Sequence, residues 1–297
     1  MPERTDKAFR LLQMHERLSK GETIVKSTAL DEFSVPTKTF QRDIDDLRQY
    51  YTEQGSGDLI YDRKNNYYRL DARSSSLTKQ EIFAICKILV ESRAFNKAEF
   101  DMIIGKLLLL CDADESKALK ALLANELVNY LPLQHGKLIV NVLWELSDYV
   151  ATQNVIKFTY KRLDGVVRTH EVKPVGIMFS EFYFYLIGYM ADDSKKFPTV
   201  FRVDRMSEIT RLDAKFAVPY AERFSEAEFR KRIQFMYSGE LRRLRFRFKG
   251  NLEAMLDRLP TAKVESQTDD GAIIRAEAYG TGIDMWLKSQ GDRVEML

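Results

Sequence analysis

Apolar positions in the first seventy residues recur at helical spacing in three consecutive segments. Residues 6–18 and 24–32 form the first two, and the stretch VPTKTFQRDIDDL at 35–47 forms the third, with Phe40, Ile44 and Leu47 on one face. A tight turn before the third segment gives the pattern of a helix-turn-helix. LIYD and YYRL then read as strands, and RKNN between them supplies turn residues. Three helices closed by a hairpin predict a winged helix over residues 1–73.

The pattern of the remaining chain changes twice. After the polar break DARSSS, residues 74–150 carry only helical patterns, with Thr78 and Glu81 in the spacing of a capping box, and predict a helical linker. Residues 151–236 are rich in aromatic and β-branched strand segments separated by polar turns. Residues 237–297 read as strand, helix, strand and helix, which predicts a small α+β module. The fold class is therefore α+β, with several domains.

Charge and composition narrow the possible functions only slightly. The chain has 46 basic and 44 acidic residues, so nucleic-acid binding has to rest on local placement and not on overall charge. Its apolar runs are too short to span a bilayer and its N-terminus lacks a signal-peptide pattern, so we expect a cytoplasmic protein without a membrane partner. Cys86 and Cys111 lie in apolar helical patterns, which favours core positions over a disulfide or zinc site.

The third helix begins with side chains that suit DNA. Polar and basic groups there lie off its buried face, and such groups bind phosphates and base edges. An ordinary solvated helix face is the alternative, and Arg42 can instead pair with its neighbour Asp43. With the tip of the hairpin included, the DNA-binding candidates are Thr37, Lys38, Thr39, Gln41, Arg42, Arg63 and Lys64.

Arginines and aromatic residues recur in the strand region. Arg202 and Arg205 flank Val203, and paired guanidinium donors match a phosphate, although salt bridges with Asp204 or Glu208 are the alternative. Stacking rings and further donors complete a candidate anion site, although strand aromatics are more often core residues. These additional candidates are Tyr160, Arg168, His170, Tyr183 and Tyr185.

A basic strand face opens the C-terminal module. Alternation in LRRLRFRFKG places Arg243, Arg245 and Arg247 on one side of a strand. Either this is an edge strand that uses charge against aggregation, or it is an electropositive wall that completes the ligand groove.

Four motifs resemble those of bacterial transcriptional regulators of the WYL-domain family. FSVPTKTFQRDIDDL is similar to the family's recognition-helix stretch, but has Pro36 where Ser is usual and Lys38 where Arg is common. FYLIGY stands at the Trp-Tyr-Leu position, FRVDR matches its F-R-L-D-R motif, and HEVKPVGIM resembles R-x-V-x-P-x-x-L. The resemblance implies a winged helix, a helical linker, a small Sm-like β-barrel that senses a ligand, and a dimerising C-terminal extension of the WCX type.

We therefore expect a homodimeric, sequence-specific transcriptional regulator, most simply a repressor on a palindromic operator. Its effector would be a single-stranded nucleic acid, a nucleotide or another anion. The alternative is an accessory protein that senses or regulates a nucleic-acid-processing enzyme and uses the winged helix for protein docking. The sequence has no phosphate-cradling glycine loop, nucleophile elbow or metal-ligand histidine spacing. We expect no enzymatic activity, cofactor or metal.

Overall fold

A computed structural model describes residues 6–71, 77–218 and 223–297. The chain forms two compact units, Met1–Phe83 with Leu109–Ser116, and Ala84–Leu108 with Lys117–Leu297. The domain boundary predicted between residues 73 and 74 lies outside the described residues. None of the described helices has the length and apolar character needed to cross a membrane.

The first unit begins with three helices and a small antiparallel sheet. In its core, Phe40 and Ile44 on the predicted apolar face of the third helix pack with Met14 of the first helix and Tyr68 of the sheet. Ile24 pairs with Tyr68 in a short strand, so the second helix begins two residues later than its apolar pattern predicts. The strand order is β1-β3-β2. The elements are α1 (Lys7–Ser19), β1 (Ile24–Val25), α2 (Lys26–Glu32), α3 (Thr37–Gln54), β2 (Asp58–Asp62) and β3 (Tyr67–Asp71).

Four further helices follow, α4 (Lys79–Ser92), α5 (Lys97–Leu108), α6 (Ala113–Val128) and α7 (Val140–Thr152). The capping box at the start of α4 is confirmed, because the Thr78 backbone N–H donates to the Glu81 carboxylate at 2.8 Å and the Glu81 N–H donates to the Thr78 hydroxyl at 3.3 Å. Cys86 is buried as expected, whereas Cys111 is partly exposed.

The central sheet is antiparallel and has the order β7-β6-β5-β4-β8. A 3₁₀ turn at Val203–Arg205 joins its two end strands, so Arg202 and Arg205 do not lie in one strand. A connection of three residues spans at most about 14 Å. The two end strands therefore approach each other at this turn, and the sheet curls. The strands are β4 (Asn154–Lys161), β5 (Val167–Ser180), β6 (Tyr183–Met190), β7 (Thr199–Arg202) and β8 (Met206–Lys215).

Helix α7 packs onto this sheet, although its sequence position had placed it in the linker. Leu146 and Ile139 share a core with Ile156 and Phe158. The buried carboxylate of Glu99, in α5, accepts hydrogen bonds from the backbone N–H groups of Ile139 and Val140 at 2.8–3.0 Å. These donors lie at the N-cap and the first residue of α7 and have no partner within the helix, so the carboxylate caps it from another helix.

The C-terminal module contains a four-stranded antiparallel sheet of order β10-β11-β9-β12. Strands β10 and β12 were not recognised in the sequence. Strand β9 pairs with β11 along its whole length but with β12 only at Phe246–Phe248. The edge-strand interpretation is therefore wrong for Arg247, whereas Arg243 lies where the other side of β9 pairs with no described strand. The elements are α8 (Glu226–Arg232), β9 (Leu241–Phe248), α9 (Leu252–Arg258), β10 (Lys263–Thr268), β11 (Gly271–Tyr279), α10 (Gly282–Ser289), a 3₁₀ turn (Gly291–Arg293) and β12 (Val294–Met296).

Candidate functional site

The first turn of α3 presents the predicted polar surface of the N-terminal unit. Thr37, Lys38 and Arg42 are exposed, while Thr39 and Gln41 are partly buried. Gln41 is engaged within the unit, since its amide donates to Asp45 at 3.3 Å and its carbonyl accepts from the Tyr68 hydroxyl at 3.2 Å. Within the part of the chain that the structure describes, neither Lys38 nor Arg42 forms an ion pair. These two cations are therefore available to an outside anion.

The suspected pairing of Arg42 with Asp43 does not occur. Asp43 is buried and accepts from the Arg10 guanidinium at 2.8 and 2.9 Å. Arg10 lies in α1, and the two side chains are only 6% and 2% exposed, so the pair joins α1 to α3 inside the core. The neighbouring Arg42 points to solvent because adjacent helical residues face different directions.

The hairpin tip carries the other two DNA-binding candidates. Asp62 accepts from the backbone N–H groups of Lys64 and Asn65 at 2.8 and 3.0 Å, and Asn66 adopts a left-handed φ of 58°. The bonds from Asn65 contribute most to holding the pKa of Asp62 below its usual range. The carboxylate is thus used to shape the turn, and the side chains of Arg63 and Lys64 remain exposed.

In the central sheet, Arg202 forms a half-buried cluster with Asp204 and Tyr183. Its guanidinium donates to both carboxylate oxygens of Asp204, at 2.7 and 3.0 Å, and lies 3.3 Å from the centroid of the Tyr183 ring. Burial opposes the charge of Arg202, but the hydrogen bonds and charge of Asp204 outweigh it and raise its pKa. Tyr185 pairs with Arg202 in the sheet, and burial raises the pKa of its hydroxyl to about 12. The salt-bridge interpretation holds for Arg202, and this arginine is already committed to Asp204.

Tyr160 and His170 support this cluster from the core. The Tyr160 hydroxyl accepts from the Arg202 backbone N–H at 3.2 Å, and its ring meets Phe201 edge-on at 5.3 Å. The His170 ring lies 5.3 Å from the same Phe201 ring, and burial, followed by the charge of Arg168, lowers its pKa. Arg168 is exposed on β5, opposite Tyr160.

Beside the cluster lies a cavity of about 510 Å³ at the β4–β5 hairpin, here called the hairpin cavity. Of the seven predicted ligand residues, only Arg205 lines it. Three further cations do so, and Asp204 is the one carboxylate among its described lining residues. Among the lining side chains cations therefore outnumber carboxylates four to one, and Asp204 is already paired with Arg202. The lining residues are His135, Lys137, Thr159, Lys161, Arg162, Leu163, Val167, Asp204, Arg205 and Ser207.

Each cation of the hairpin cavity is held differently. Lys137 donates to the Met206 carbonyl at 3.4 Å, and Arg162 pairs with the exposed Asp164 at 3.3 Å. Lys161 and Arg205 have no acidic partner among the residues that the structure describes. His135 accepts from the Lys137 backbone N–H at 3.0 Å, and burial is the main cause that lowers its pKa. The geometry suits an anion that accepts several hydrogen bonds.

Only a weak sequence pattern marks the residues of this cavity. Lys161 and Arg162 directly precede the LDG turn, and Lys137 lies in the segment before α7. Nothing in the local pattern shows that the two segments meet. Within the described residues, no group of three His, Cys, Asp or Glu side chains is placed to hold a metal ion.

The three arginines of β9 lie away from this cavity and have acidic partners. Arg243 pairs with Glu277 at 3.3 Å, Arg245 with Glu265 at 2.8 Å, and Arg247 with Glu295. None of them lines the hairpin cavity. The interpretation of this face as a wall of the same ligand groove is therefore not supported.

Residues 141–211, which span α7 and most of the central sheet, match the family model of the WYL domain. The chain contains a WYL domain. The match takes in Tyr183, Arg202 and Asp204, together with most of the hairpin-cavity lining. It begins within α7, in agreement with the packing of that helix on the sheet.

Comparisons over the whole chain find distant similarity only. None of the curated proteins matches it. Among solved structures, it is similar to proteasome accessory factor B/C (PafBC) of Arthrobacter aurescens, with 16% identity and a TM-score of 0.30, over 97% of this chain and 43% of that one. It is also similar to a CRISPR Cas-related protein, with 12% identity and a TM-score of 0.36, over 76% of this chain and 70% of that one. The chain thus spans less than half of the length of the first.

Proposed function

We propose that this chain is a DNA-binding transcriptional regulator whose WYL domain senses an anionic ligand. The observation that carries the proposal is the hairpin cavity, where four cations face one carboxylate that is already paired. A phosphate-bearing ligand would neutralise this excess charge, and the Tyr183 ring beside Arg202 offers a surface for a base. A nucleotide or a short single-stranded nucleic acid fits both features.

The N-terminal unit supplies the DNA-binding part of the proposal. Three helices and a hairpin form a winged helix in which the exposed start of α3 reads bases and the hairpin tip contacts phosphates. We propose a homodimer that binds a palindromic operator and represses transcription in the cytoplasm, with the C-terminal module as the dimerising element. Two-fold symmetry then places the half-sites about one or two DNA turns apart. No catalytic step is part of this proposal.

The DNA-binding part is tested with the chain's own promoter in a fluorescence-anisotropy titration. The double variant Thr37→Ala/Lys38→Ala should bind it more weakly, by about 1–3 kcal/mol for each lost base contact, with little change in thermal stability. Arg69→Ala is the matched control, because Arg69 is an exposed cation of the same unit that pairs with Asp71 at 3.0 Å. If the wild type shows no preference for its promoter over random duplex, the regulator proposal fails and protein docking becomes the better interpretation of this unit.

The sensing part is tested with a short single-stranded oligonucleotide and the variant Arg205→Gln/Lys161→Gln. Binding should weaken in the variant, and the log–log salt slope should fall by about 0.7 for each phosphate contact removed. Lys157→Gln is the matched control, because Lys157 lies exposed on the same strand outside the cavity. Equal binding by wild type and variant would contradict the proposed site. Arg202 is unsuited to this test, since its removal would leave Asp204 buried without its partner.

A further inference from the structure

The C-terminal module contains a second basic cavity, of about 490 Å³, between α8 and the four-stranded sheet. We call it the C-terminal cavity, and it shares no lining residue with the hairpin cavity. Five cations and two carboxylates line it, a surplus of three positive charges in a chain whose net charge is +2. The charged lining residues are Glu228, Lys231, Arg232, Arg243, Lys263, Arg275 and Glu277.

Three cations stand in one row across the sheet beside this cavity. Arg275 on β11 is directly opposite Lys263 on β10 and directly opposite Arg245 on β9. Directly opposed like charges destabilise a sheet. Glu265 contacts Arg245 at 2.8 Å and Arg275 at 3.7 Å, so one carboxylate serves two of the three cations. Lys263 has no acidic partner in the described parts of the chain.

The two carboxylates of the cavity are already used to fix arginines. Glu277 contacts Arg243 at 3.3 Å and Arg232 at 3.6 Å, and Glu228 contacts Arg232 at 2.8 Å. The Thr261 hydroxyl donates to the Glu277 carbonyl at 2.6 Å, so the backbone at this point is anchored as well. The acids therefore hold the arginines in place, and Glu228 also pairs with Lys231. Arg275 shares Glu265 with Arg245, and Lys263 is left without an acidic partner among the described residues.

We propose that the C-terminal cavity binds a compact anion carrying two or more phosphate groups. Several guanidinium and ammonium donors at one concave site suit clustered phosphate oxygens, and a bound anion would remove the repulsion along the row. No aromatic side chain is found among the cavity's described lining residues. Nucleic-acid strands are usually held by base stacking as well as charge, so the lining favours a polyphosphate group over a strand. This site is independent of the ligand proposed for the WYL domain.

The test is calorimetric titration of the full chain with inorganic tripolyphosphate. Lys263→Gln and Arg275→Gln should each weaken binding about tenfold, which is the effect expected when one charge-assisted contact is lost. Arg247→Gln is the matched control, because it removes a cation from the same sheet face but outside the cavity. Lys157→Gln is a second control, because Lys157 lies exposed on β4 and lines neither cavity. Both controls should bind tripolyphosphate as the wild type does.

The melting temperature gives a second readout. Without the anion, Arg275→Gln should melt at a higher temperature than the wild type, because the like-charge row is relieved. With the anion, the wild type should gain stability and Arg275→Gln should gain much less. Equal weakening in all four variants, or no binding by the wild type, would overturn the proposal. So would an oligonucleotide that binds more tightly than tripolyphosphate and loses binding in Lys263→Gln.

Discussion

Replacing Asp204 by Asn should change stability and ligand binding in opposite directions. Asp204 accepts hydrogen bonds from two guanidinium nitrogens of Arg202, and its side chain is only 7% exposed. It is also the sole carboxylate among the described residues that line the hairpin cavity. The substitution keeps the shape of the side chain and removes one negative charge. Folding and anion binding therefore respond to two different consequences of the same change.

The loss of stability follows from the pairing with Arg202. Removing one partner of a buried pair costs about 3–5 kcal/mol. Asn still accepts one hydrogen bond, and the Arg202 side chain is 19% exposed and thus in part reached by water. We therefore expect a loss nearer to 1.5–3 kcal/mol, about the contribution of a hydrogen bond to a charged group.

The gain in ligand affinity follows from the charge left behind. Without Asp204, the guanidinium of Arg202 contributes an unopposed positive charge beside the cavity. A unit charge about 10 Å from a phosphate, at an effective dielectric constant of about 20, interacts with it by about 1.7 kcal/mol. Salt screening reduces this figure, so binding should become up to roughly tenfold tighter.

Urea denaturation and oligonucleotide binding by anisotropy measure the two effects on the same preparation. Glu171→Gln is the matched control, because it removes a carboxylate from β5 that lies outside the cavity. Weaker binding by Asp204→Asn, in protein that denaturation shows to be folded, would refute the reasoning. It would mean that Asp204 acts by orienting Arg202 toward the ligand.

Three further predictions concern other parts of the chain. Glu99→Gln should lower the free energy of unfolding by about 1–3 kcal/mol, because the cap of α7 loses its charge. Asp101→Asn, on the exposed side of α5, is the control and should leave the free energy of unfolding unchanged. Burial lowers the pKa of both His135 and His170, so the unfolded chain binds more protons than the folded chain at acidic pH. The free energy of unfolding should therefore fall as the pH drops below about 6.5. Melting curves at several pH values should show a smaller decrease for His135→Gln/His170→Asn than for the wild type. Arg63→Ala/Lys64→Ala should weaken binding to operator and random duplex alike and reduce the salt slope by up to about 2, as titrations at several salt concentrations would reveal.

Local patterns predicted the elements whose partners are close in sequence. The apolar spacing of α3, the β2–β3 hairpin and the capping box of α4 were all recognisable because each depends on residues within a few positions. Strand β10 (KVESQT) is exposed along its whole length, so no apolar alternation marks it, and its pairing with β11 defines it.

The candidate site was predicted less completely, because its members come from distant segments. Arg202 and Arg205 were identified from the FRVDR motif, but the pairing of Arg202 with Asp204 removes it from direct contact with the cavity. Lys137 and Lys161 reach the cavity from separate segments, which the apolar pattern cannot show. Asp43 likewise pairs with Arg10, which lies 33 residues away in the sequence. No local rule predicts that Asp43 pairs with Arg10 and not with Arg42, its neighbour in the sequence.

Because Glu99 caps α7, the part of the chain that has to fold together is longer than the part that matches the WYL family model. The WYL match begins at residue 141, just after the two backbone donors that Glu99 holds. A fragment cut at that point would lose the buried Ile139 and the carboxylate from α5. A fragment that also ended at residue 211 would lose Phe229 and Ile233, which pack against Met178 and Ile187 of the sheet. A gene fusion that transfers this domain therefore has to carry α5 through α8 with it, and a fragment cut at the edges of the family match should be less stable than the longer one.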